Sequence, residues 1–521
     1  MKMKKSIKLA AAAVLTAALL SACTDSDNSS KDTANNSSTT TQTESQADAT
    51  TETSNETSDA PSAEAPVFEN VSVHDPSVLK VDETYYVFGS HLAAAKSNDL
   101  MKWSLIDSGV IDGNVLIPNV MEELKETLDW AESDTLWAAD VIQLADGKFY
   151  MYYNACKGDS PRSALGVAVA DKVEGPYKNL GIILKSGQWG EVSPDGTVYD
   201  ATIHPNVVDP DTFFDKDGKL WMVYGSYSGG IFIMEMDPKT GMPLPDQGYG
   251  KKLLGGNHSR IEGPYMLYSP QTDYYYLFLS YGGLAADGGY NIRVARSKNP
   301  DGPFVDSEGQ DLIDAMGAPG TLFDDPSYAP YGVKLMGNFK FNSVDGEPTG
   351  NPYAIDFGYV SPGHNSAYYD EKTGQYYLIF HTRFPSRGEA HEVRVHQMFM
   401  NADGWPVVAP HRYGGETIGK YAVSDIVGDY KYVNHGHDIT AETVESVVVT
   451  LSEDGKVSGA VTGTWKLDGD HNAVITVDGV DYKGVFLREY DESMETQVMT
   501  FSALSDKGVA IWGSHVALET K

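Results

Sequence analysis

The chain of 521 residues repeats one short pattern five times, and this repetition constrains its fold more than any other feature. Each copy has a short apolar run behind an ionisable residue, then an acidic turn, then an aromatic segment that ends in a small or polar residue. Such turns and aromatic runs are typical of β-structure. The copies begin at His74, Trp137, Val207, Ile261 and Gly363.

One ionisable residue stands near the head of every copy. If the copies are equivalent units of a closed repeat, these five side chains meet on one axis, and the functional site should lie there. The head residues are Asp75, Asp140, Asp209, Glu262 and His364.

The segment 67–427 consists of short aromatic and β-branched runs broken by turn signals such as Asp146-Gly147 and Thr373-Gly374. Runs of this length, without long helical periodicity, predict an all-β fold. A propeller blade takes about 40 to 50 residues, so the wider spacing of the copies indicates blades with long loops. We predict a five-bladed β-propeller, which leaves only short sheet edges, and a β-sandwich is the alternative.

The character of the sequence changes towards the C-terminus. Residues 428–521 contain alternating strand-like runs joined by Asp454-Gly455, Asp468-Gly469 and Asp478-Gly479. Asp-Gly between such runs is a hairpin signal. We therefore predict a small antiparallel β-barrel-like C-terminal domain with a packing or spacer role, and glycan binding is the alternative.

The N-terminus has the pattern of a targeting segment. A basic start and a short apolar run lead to Leu20-Ser21-Ala22-Cys23, and the run is too short to span a bilayer as a stable helix. This ending resembles a bacterial lipobox, so we expect residues 1–23 to be a lipoprotein signal peptide with lipidation at Cys23. An ordinary signal peptide is the alternative. Residues 24–66 are polar and predict a flexible tether.

The formal charge is −34, from 39 Lys+Arg and 73 Asp+Glu. Nucleic acid, anionic membrane surfaces and anionic polysaccharides are poor partners for such a protein, whereas a neutral glycan is compatible with it. Only Cys156 remains once Cys23 is lipidated, so no intrachain disulfide is expected. We expect a monomer that touches a membrane only through its lipid anchor, at the bacterial cell surface or released outside the cell.

Carboxylates that come together from distant repeats suit glycoside hydrolysis, which needs one acid for the leaving oxygen and one carboxylate for water or the sugar. The motifs HDPSV, VVDPD and IEGP resemble, in order and context, the catalytic motifs of glycoside hydrolase family 43, whose members are inverting five-bladed propellers. The resemblance covers about residues 67–427. The segments GSYSGGIF, HSRIEGP and PGHNS are most similar to the endo-α-1,5-L-arabinanases within that family.

The resemblance implies distinct roles for the three carboxylates. Asp75 is similar to the general base that activates water, and Glu262 to the general acid that protonates the leaving oxygen. Asp209 is similar to the carboxylate that keeps this acid protonated and oriented, because a nearby negative charge disfavours ionisation. Asp211 is a weaker substitute for Asp209, and Asp140 is expected to be structural.

The resemblance also implies a metal and a substrate cleft. His364 is similar to a histidine that faces a metal on the propeller axis, commonly calcium surrounded mostly by water. An aromatic ring suits stacking on a sugar face, although such a ring is often a core residue instead. The expected substrate-binding residues are Trp137, Gly158, Asn206, Ser226, Tyr227, Ser228, His258 and Ser259.

The sequence thus predicts an endo-acting inverting glycoside hydrolase that cleaves internal α-1,5-L-arabinofuranosidic links of arabinan. An exo-arabinanase, an α-L-arabinofuranosidase or a β-xylosidase of the same family is the alternative, because loops that block the cleft would restrict it to chain ends. A non-catalytic glycan-binding surface lipoprotein is the alternative from another class. The sequence has no phosphate-binding glycine loop between a strand and a helix, and no zinc-spaced Cys/His cluster.

Overall fold

The computed structural model describes residues 65–323, 325–348 and 357–517. The signal peptide predicted at 1–23, the lipidated Cys23 and the tether up to residue 64 lie outside the described residues. In the described part, no helix has both the length and the apolar character needed to cross a bilayer.

The first two repeats each form a four-stranded antiparallel sheet whose strands follow one another in chain order. Both faces of such a sheet are covered by neighbouring blades, so its central strands are apolar almost throughout. Blade 1 contains β1 (Ser77–Val81), β2 (Thr84–Gly89), β3 (Ala93–Ser97) and β4 (Ser104–Asp107), and blade 2 contains β5 (Trp137–Gln143), β6 (Phe149–Cys156), β7 (Ser163–Ala170) and β8 (Lys178–Lys185).

The third and fourth repeats form sheets of the same kind. The long gap between the fourth and fifth repeats includes an extended connection between the last two strands of blade 4. Blade 3 contains β9 (Asp211–Phe214), β10 (Leu220–Tyr224), β11 (Ile231–Met236) and β12 (Lys251–Leu254), and blade 4 contains β13 (Ile261–Ser269), β14 (Tyr274–Tyr281), β15 (Asn291–Ser297) and β16 (Val333–Met336).

The fifth repeat forms a six-stranded sheet, because it has five strands of its own and a short strand from the C-terminal region pairs in parallel with the strand at one edge. The boundary between residues 427 and 428 stays a prediction. Blade 5 contains β17 (Phe339–Lys340), β18 (Gly358–Asp370), β19 (Gln375–Arg383), β20 (His391–Met400) and β21 (Pro406–Val408), and the added strand is β23 (Val444–Glu445).

The remaining strands close into an eight-stranded antiparallel barrel. Its interior is filled by buried residues such as Tyr430, Trp465 and Phe501. The barrel strands are β22 (Gly428–Asn434), β24 (Val447–Leu451), β25 (Lys456–Gly459), β26 (Gly463–Asp468), β27 (Asn472–Val477), β28 (Val480–Asp491), β29 (Thr496–Ser505) and β30 (Ala510–His515). The predicted all-β class, with a five-bladed propeller followed by a small barrel, is confirmed.

The described helices are short and lie in connections between strands. Two of them connect blade 1 to blade 2, and the third precedes the barrel. The α-helices are α1 (Val120–Glu123), α2 (Lys125–Ala131) and α3 (Val423–Ile426), and 3-10 turns span Ser90–Leu92, Leu312–Asp314 and Pro326–Tyr328.

The first long strand of every blade contacts its counterparts in the two neighbouring blades, so β1, β5, β9, β13 and β18 surround one axis. Buried apolar clusters fill the spaces between adjacent blades. Asp75, Asp209 and Glu262 lie at or just before the beginning of these inner strands, whereas Asp140 and His364 lie in the middle of theirs. The closed ring therefore brings residues from distant parts of the chain to one place.

Blades 1 and 5 close the ring without sharing a strand. One apolar cluster joins Val73 and Val87 of the N-terminal region to Tyr377 and Ile379 of blade 5. The Nζ of Lys80 lies 2.7 Å from Oδ2 of Asp370, and these side chains are only 11% and 7% exposed. The pair is thus a largely buried ionic contact across the closure.

Replacing Asp370 by Asn should weaken this closure. The neutral amide would leave the Lys80 ammonium without its counter-ion in a largely buried position, at a cost of about 3 kcal/mol in the free energy of unfolding. Urea unfolding and the melting temperature measure the effect.

Glu83→Gln is the matched control. It breaks the ion pair of Glu83 with Lys372, which also joins blade 1 to blade 5 but whose side chains are 77% and 69% exposed. Exposed pairs contribute little, so this variant should melt like the parent. Equal melting temperatures for the two variants would show that the buried pair does not hold the ring closed.

Candidate active site

Three head residues adopt a backbone conformation that is uncommon for residues with a side chain. Asp75, Asp209 and His364 have φ values of 56°, 54° and 43°, in the left-handed region. Each such residue costs of order 1–3 kcal/mol, and such residues concentrate at functional sites. The surrounding structure therefore holds these side chains in defined directions at the axis.

The carboxylate of Asp75 is buried against two imidazoles and a serine hydroxyl. Its Oδ2 lies 2.7 Å from Nδ1 of His74 and accepts a hydrogen bond from Ser90 Oγ. Its Oδ1 lies 3.1 Å from Nδ1 of His364. Burial alone would raise the pKa of Asp75, but the two imidazoles lower it well below its usual value. Asp75 is therefore an ionised carboxylate, as a general base must be.

His381 supports the backbone of this base. The Asp75 N–H donates to His381 Nδ1 over 3.2 Å, and the His381 ring stacks on His74 with centroids 3.9 Å apart. Burial and the neighbouring His74 lower the pKa of His381 well below its usual value, which leaves Nδ1 free to accept. Sequence reasoning missed both histidines, although His74 directly precedes Asp75 and His381 ends the aromatic strand of the fifth copy.

Glu262 is held by two neutral hydroxyl donors. Ser226 Oγ donates to its Oε2 over 2.7 Å, and the Tyr290 hydroxyl donates to its Oε1 over 2.9 Å. Burial raises the pKa of Glu262 despite these donors. Glu262 therefore suits a general acid. Tyr290 lies outside the repeated pattern, so no sequence signal pointed to it.

Asp209 is the third buried carboxyl group of the cluster. Its Oδ2 accepts from the Gly263 N–H over 3.2 Å. Burial, with a further contribution from Glu262 and Asp75, raises the pKa of Asp209 to about 8, although His364 opposes this rise. Because Asp209 and Glu262 interact, they titrate as a pair, and one carboxyl of the pair retains a proton near neutral pH.

His364 lies between these carboxyl groups. Burial would lower its pKa, but Asp75 and Asp209 raise the pKa of His364 to about 9. Its backbone N–H donates to Ser280 Oγ over 2.7 Å. A Cβ on Gly263 would lie 3.0 Å from the His364 ring, and the φ of Gly263 is +59°, so glycine is required there for two reasons.

The side chains around His364 can be compared with the ligands that calcium prefers, which are six to eight oxygen atoms. One imidazole among three carboxyl groups is not such a cage, but it fits a hydrated cation that keeps most of its water. Among the described residues, His74, Asp75 and His381 also offer ligand atoms within 4.8 Å of one another. Those atoms already bind each other or the Asp75 backbone. His364 Nδ1 likewise lies 3.1 Å from Asp75 Oδ1, so in either group an ion would replace contacts that the side chains make with each other.

Asp140, the head of the second copy, makes a different set of contacts from the other carboxyl groups. Its Oδ1 accepts from Ser77 Oγ over 2.6 Å, and its Oδ2 accepts from the backbone N–H of Thr212 over 2.9 Å. Asp211 similarly accepts from the Met266 N–H over 2.7 Å. These carboxyl groups connect the inner strands of blades 1 to 4.

Five of the predicted substrate-binding residues lie in two loops beside Glu262. Tyr227 donates from its hydroxyl to Gly282 O, and the His258 N–H donates to Ser228 O over 2.9 Å. Ser259 is buried, and its Oγ donates to Gly256 O and accepts from the Gly317 N–H. Its hydroxyl thus holds loops together, whereas Ser226 holds the candidate acid.

The other three lie towards blade 2. Trp137 is partly buried at the start of β5. Gly158 is exposed in the turn after β6, with φ +87°. Asn206 is buried, and its Oδ1 accepts from Ser163 Oγ over 2.5 Å while its Nδ2 faces Cys156 Sγ. Direct contact of these residues with substrate stays a prediction.

The axis therefore holds an ionised carboxylate on blade 1 and a proton-retaining pair on blades 3 and 4. Such a set can remove a proton from water on one side of a bond and donate one to the leaving oxygen on the other. This combination of a five-bladed propeller and an acid–base pair of carboxyl groups defines a class of glycoside hydrolases.

The chain belongs to glycosyl hydrolases family 43. The model of that family matches residues 63–325, and the model of a C-terminal lipocalin-like domain associated with it matches residues 410–513. The resemblance found in the sequence is thereby confirmed.

Several relatives are similar over most of their length. The extracellular endo-alpha-(1->5)-L-arabinanase 2 of Bacillus subtilis is 66% identical over 87% of this chain and 94% of its own. The extracellular endo-alpha-(1->5)-L-arabinanase of Thermotoga petrophila is 53% identical over 87% of this chain and 95% of its own. A crystal structure of a family 43 glycoside hydrolase from Bacillus licheniformis, 68% identical, superposes with a TM-score of 0.83 over 87% of this chain and 99% of that chain.

Replacing Asp209 by Asn should move the alkaline limit of activity to lower pH. Without the neighbouring carboxyl group, Glu262 loses its proton at a lower pH. The fall of kcat at alkaline pH should therefore begin about one pH unit lower than in the parent. The exposed Asp217, in the turn between β9 and β10, provides the control Asp217→Asn. A fall that begins at the same pH in all three proteins would show that Asp209 does not tune the acid.

Proposed function

We propose that this protein is an endo-acting glycoside hydrolase that cleaves internal α-1,5-L-arabinofuranosidic links of arabinan with inversion. One observation carries the proposal: Asp75, Asp209 and Glu262, from three blades, meet in one buried cluster, and their partners differ. Asp75 faces two imidazoles, whereas Glu262 faces two hydroxyl groups. The similarity to endo-acting arabinanases supports the choice of substrate.

The chemistry follows from these partners. Asp75 takes a proton from a water molecule, and the water oxygen forms a bond to the anomeric carbon as the glycosidic C–O bond breaks. Glu262 gives its proton to the departing oxygen, and Asp209 keeps that proton available before reaction. A single displacement from the opposite face inverts the anomeric configuration. The Ser226 and Tyr290 hydroxyls orient the acid.

The proposed location and partners follow from charge and similarity. A formal charge of −34 favours a neutral polysaccharide over a polyanion or nucleic acid. The two relatives are named extracellular, and the targeting segment of this chain supports export. We propose that Cys23 adds a lipid anchor at the cell surface and that the protein acts as a monomer.

The alternatives have weaker support. The most similar relatives reported above are named as endo-acting enzymes, which disfavours an exo-arabinanase, an arabinofuranosidase or a β-xylosidase. A non-catalytic glycan-binding protein does not need a base and an acid that are held by separate sets of partners.

Replacing Glu262 by Gln should lower kcat on debranched arabinan by at least about 100-fold, because the amide has no proton to donate at the leaving oxygen. Arabino-oligosaccharide affinity, measured by calorimetry, should stay close to that of the parent. Glu453→Gln, an exposed position in the barrel, is the matched control and should keep full activity. Parental sugar release by the Glu262 variant would refute its role as the acid.

Product sizing separates endo from exo action. The parent protein should release mixed short arabino-oligosaccharides early in the digestion of debranched arabinan, while arabinoxylan and an aryl arabinofuranoside should be poor substrates. Arabinose as the sole early product would contradict internal cleavage.

We also propose that His364 binds a largely hydrated cation, with calcium as the expected ion. The support is the donor set: one imidazole with Asp75, Asp209 and Glu262 around it. His364 must lose its proton to bind an ion, so the ion would take the place of the imidazolium charge among these carboxyl groups. When bound, such an ion supplies a fixed positive charge that lowers the pKa of nearby carboxyl groups.

Metal analysis of the purified protein should find close to one calcium per chain. Chelation should lower the melting temperature of the parent, because a ligand that binds the folded state stabilises it. His364→Gln should melt at the same temperature with and without chelator. If chelation leaves the parent's melting temperature and metal content unchanged, the proposed ion is refuted.

A further inference from the structure

Two connections between blades lie on the face of the propeller that holds the candidate active site. The first runs from the end of β8 to Asp209, just before β9, and the second runs from the end of β12 to Glu262, at the start of β13. Because each ends at a carboxyl group of the cluster, both lie on that face. They are joined by a hydrogen bond from the Asn257 N–H to Thr202 O over 3.0 Å.

The first connection presents a group of apolar side chains to solvent. Trp189 is 54% exposed, and Val192, Val198 and Ile203 are more than half exposed as well. Val192 pairs with Val198 across this connection. Exposed apolar side chains grouped in one loop often mark a binding site.

Trp189 does not lie on a loose loop. Its ring meets Tyr199 edge-on with centroids 5.0 Å apart, and Tyr199 stacks on His204. His204 is fixed in turn, since its Nε2 lies 2.9 Å from Thr197 Oγ1 and 3.0 Å from Asp195 Oδ2. The indole is therefore presented on a rigid support, so its ordering costs little when a ligand binds.

A groove lies between this support and the second connection. Its lining includes Pro161, Trp189, Val198, Tyr199, Thr202 and His258. The groove continues towards the reacting centre, because the His258 N–H donates to Ser228 O in the same short loop from which Ser226 holds Glu262. One loop thus separates the groove from the acid.

The charge and polarity of the groove favour a neutral ligand over an anionic one. The described residues that line the groove include one carboxylate, Asp200, and one imidazole, His258, but no lysine or arginine. An anionic lipid surface or polyanion has no counter-charge there, within a protein of formal charge −34. A neutral sugar ring, with an apolar face and hydroxyl edges, matches an indole beside polar groups.

We propose that the groove at Trp189 is a subsite, separate from the reacting centre, that binds an arabinofuranosyl unit of the same arabinan chain. This proposal rests on the proposed function. Long substrates occupy both the subsite and the cluster at the axis, whereas short ones reach only the cluster.

Trp189→Ala tests the proposal. Loss of the indole removes binding that is equal in the ground state and the transition state, so KM for long linear arabinan should rise three- to tenfold at unchanged kcat. Steady-state constants on the shortest oligosaccharide that the parent cleaves should stay within twofold. Trp189→Phe should recover most of the loss on the polymer.

Leu105→Ala is the matched control, because Leu105 is also 54% exposed but lies on β4, the outermost strand of blade 1. It should match the parent on both substrates. Circular dichroism and melting temperature establish that each variant is folded.

Three outcomes would overturn the proposal. Equal losses on short and long substrates would place Trp189 at the reacting centre or in a structural role. Unchanged kinetics with an altered sedimentation coefficient would identify the patch as a contact between copies of this chain. Unchanged kinetics and sedimentation would show no subsite at all. If the parent itself fails to cleave arabinan, the proposed function fails instead, which is a separate result.

Discussion

The active site depends on the non-covalent closure between the first and last blades. Asp75 belongs to blade 1, while His364 and His381, which contact its carboxylate and its backbone, belong to blade 5. The contact of Lys80 with Asp370 and the apolar cluster around Val73 and Tyr377 hold the two blades together. Ring closure therefore also completes the surroundings of the proposed base, because Asp75 has its full set of partners only in the closed ring.

Differences in local partners give chemically similar side chains different protonation states. Imidazoles of His74 and His364 lower the pKa of Asp75, whereas burial beside hydroxyl donors raises the pKa of Glu262. Asp140 has equally deep burial, yet its oxygens are occupied by Ser77 and Thr212. The donors around a carboxyl group at the axis thus decide whether it suits the proposed role of a base, the proposed role of an acid or a structural contact between blades.

The C-terminal barrel extends the propeller rather than standing apart from it. Val433, Leu504 and Trp512 of the barrel share a buried cluster with residues of blades 4 and 5, and the rings of Phe339 and Trp512 lie 5.1 Å apart. The interior of the barrel is packed with its own aromatic side chains. These contacts support the blade that carries His364 and His381.

The all-β class, the number of blades and the residue type at the head of each unit could be predicted from the sequence, because they depend on a pattern that recurs along the chain. The partners that set protonation could not, since His381, for example, contacts Asp75 across 306 positions of sequence. Tyr290 and the groove at Trp189 have no local signature either, since their surroundings come from separate loops. A repeated pattern shows which residues occupy equivalent positions. The pKa of a side chain and its accessibility to substrate depend instead on distances between atoms, which are set when the ring closes.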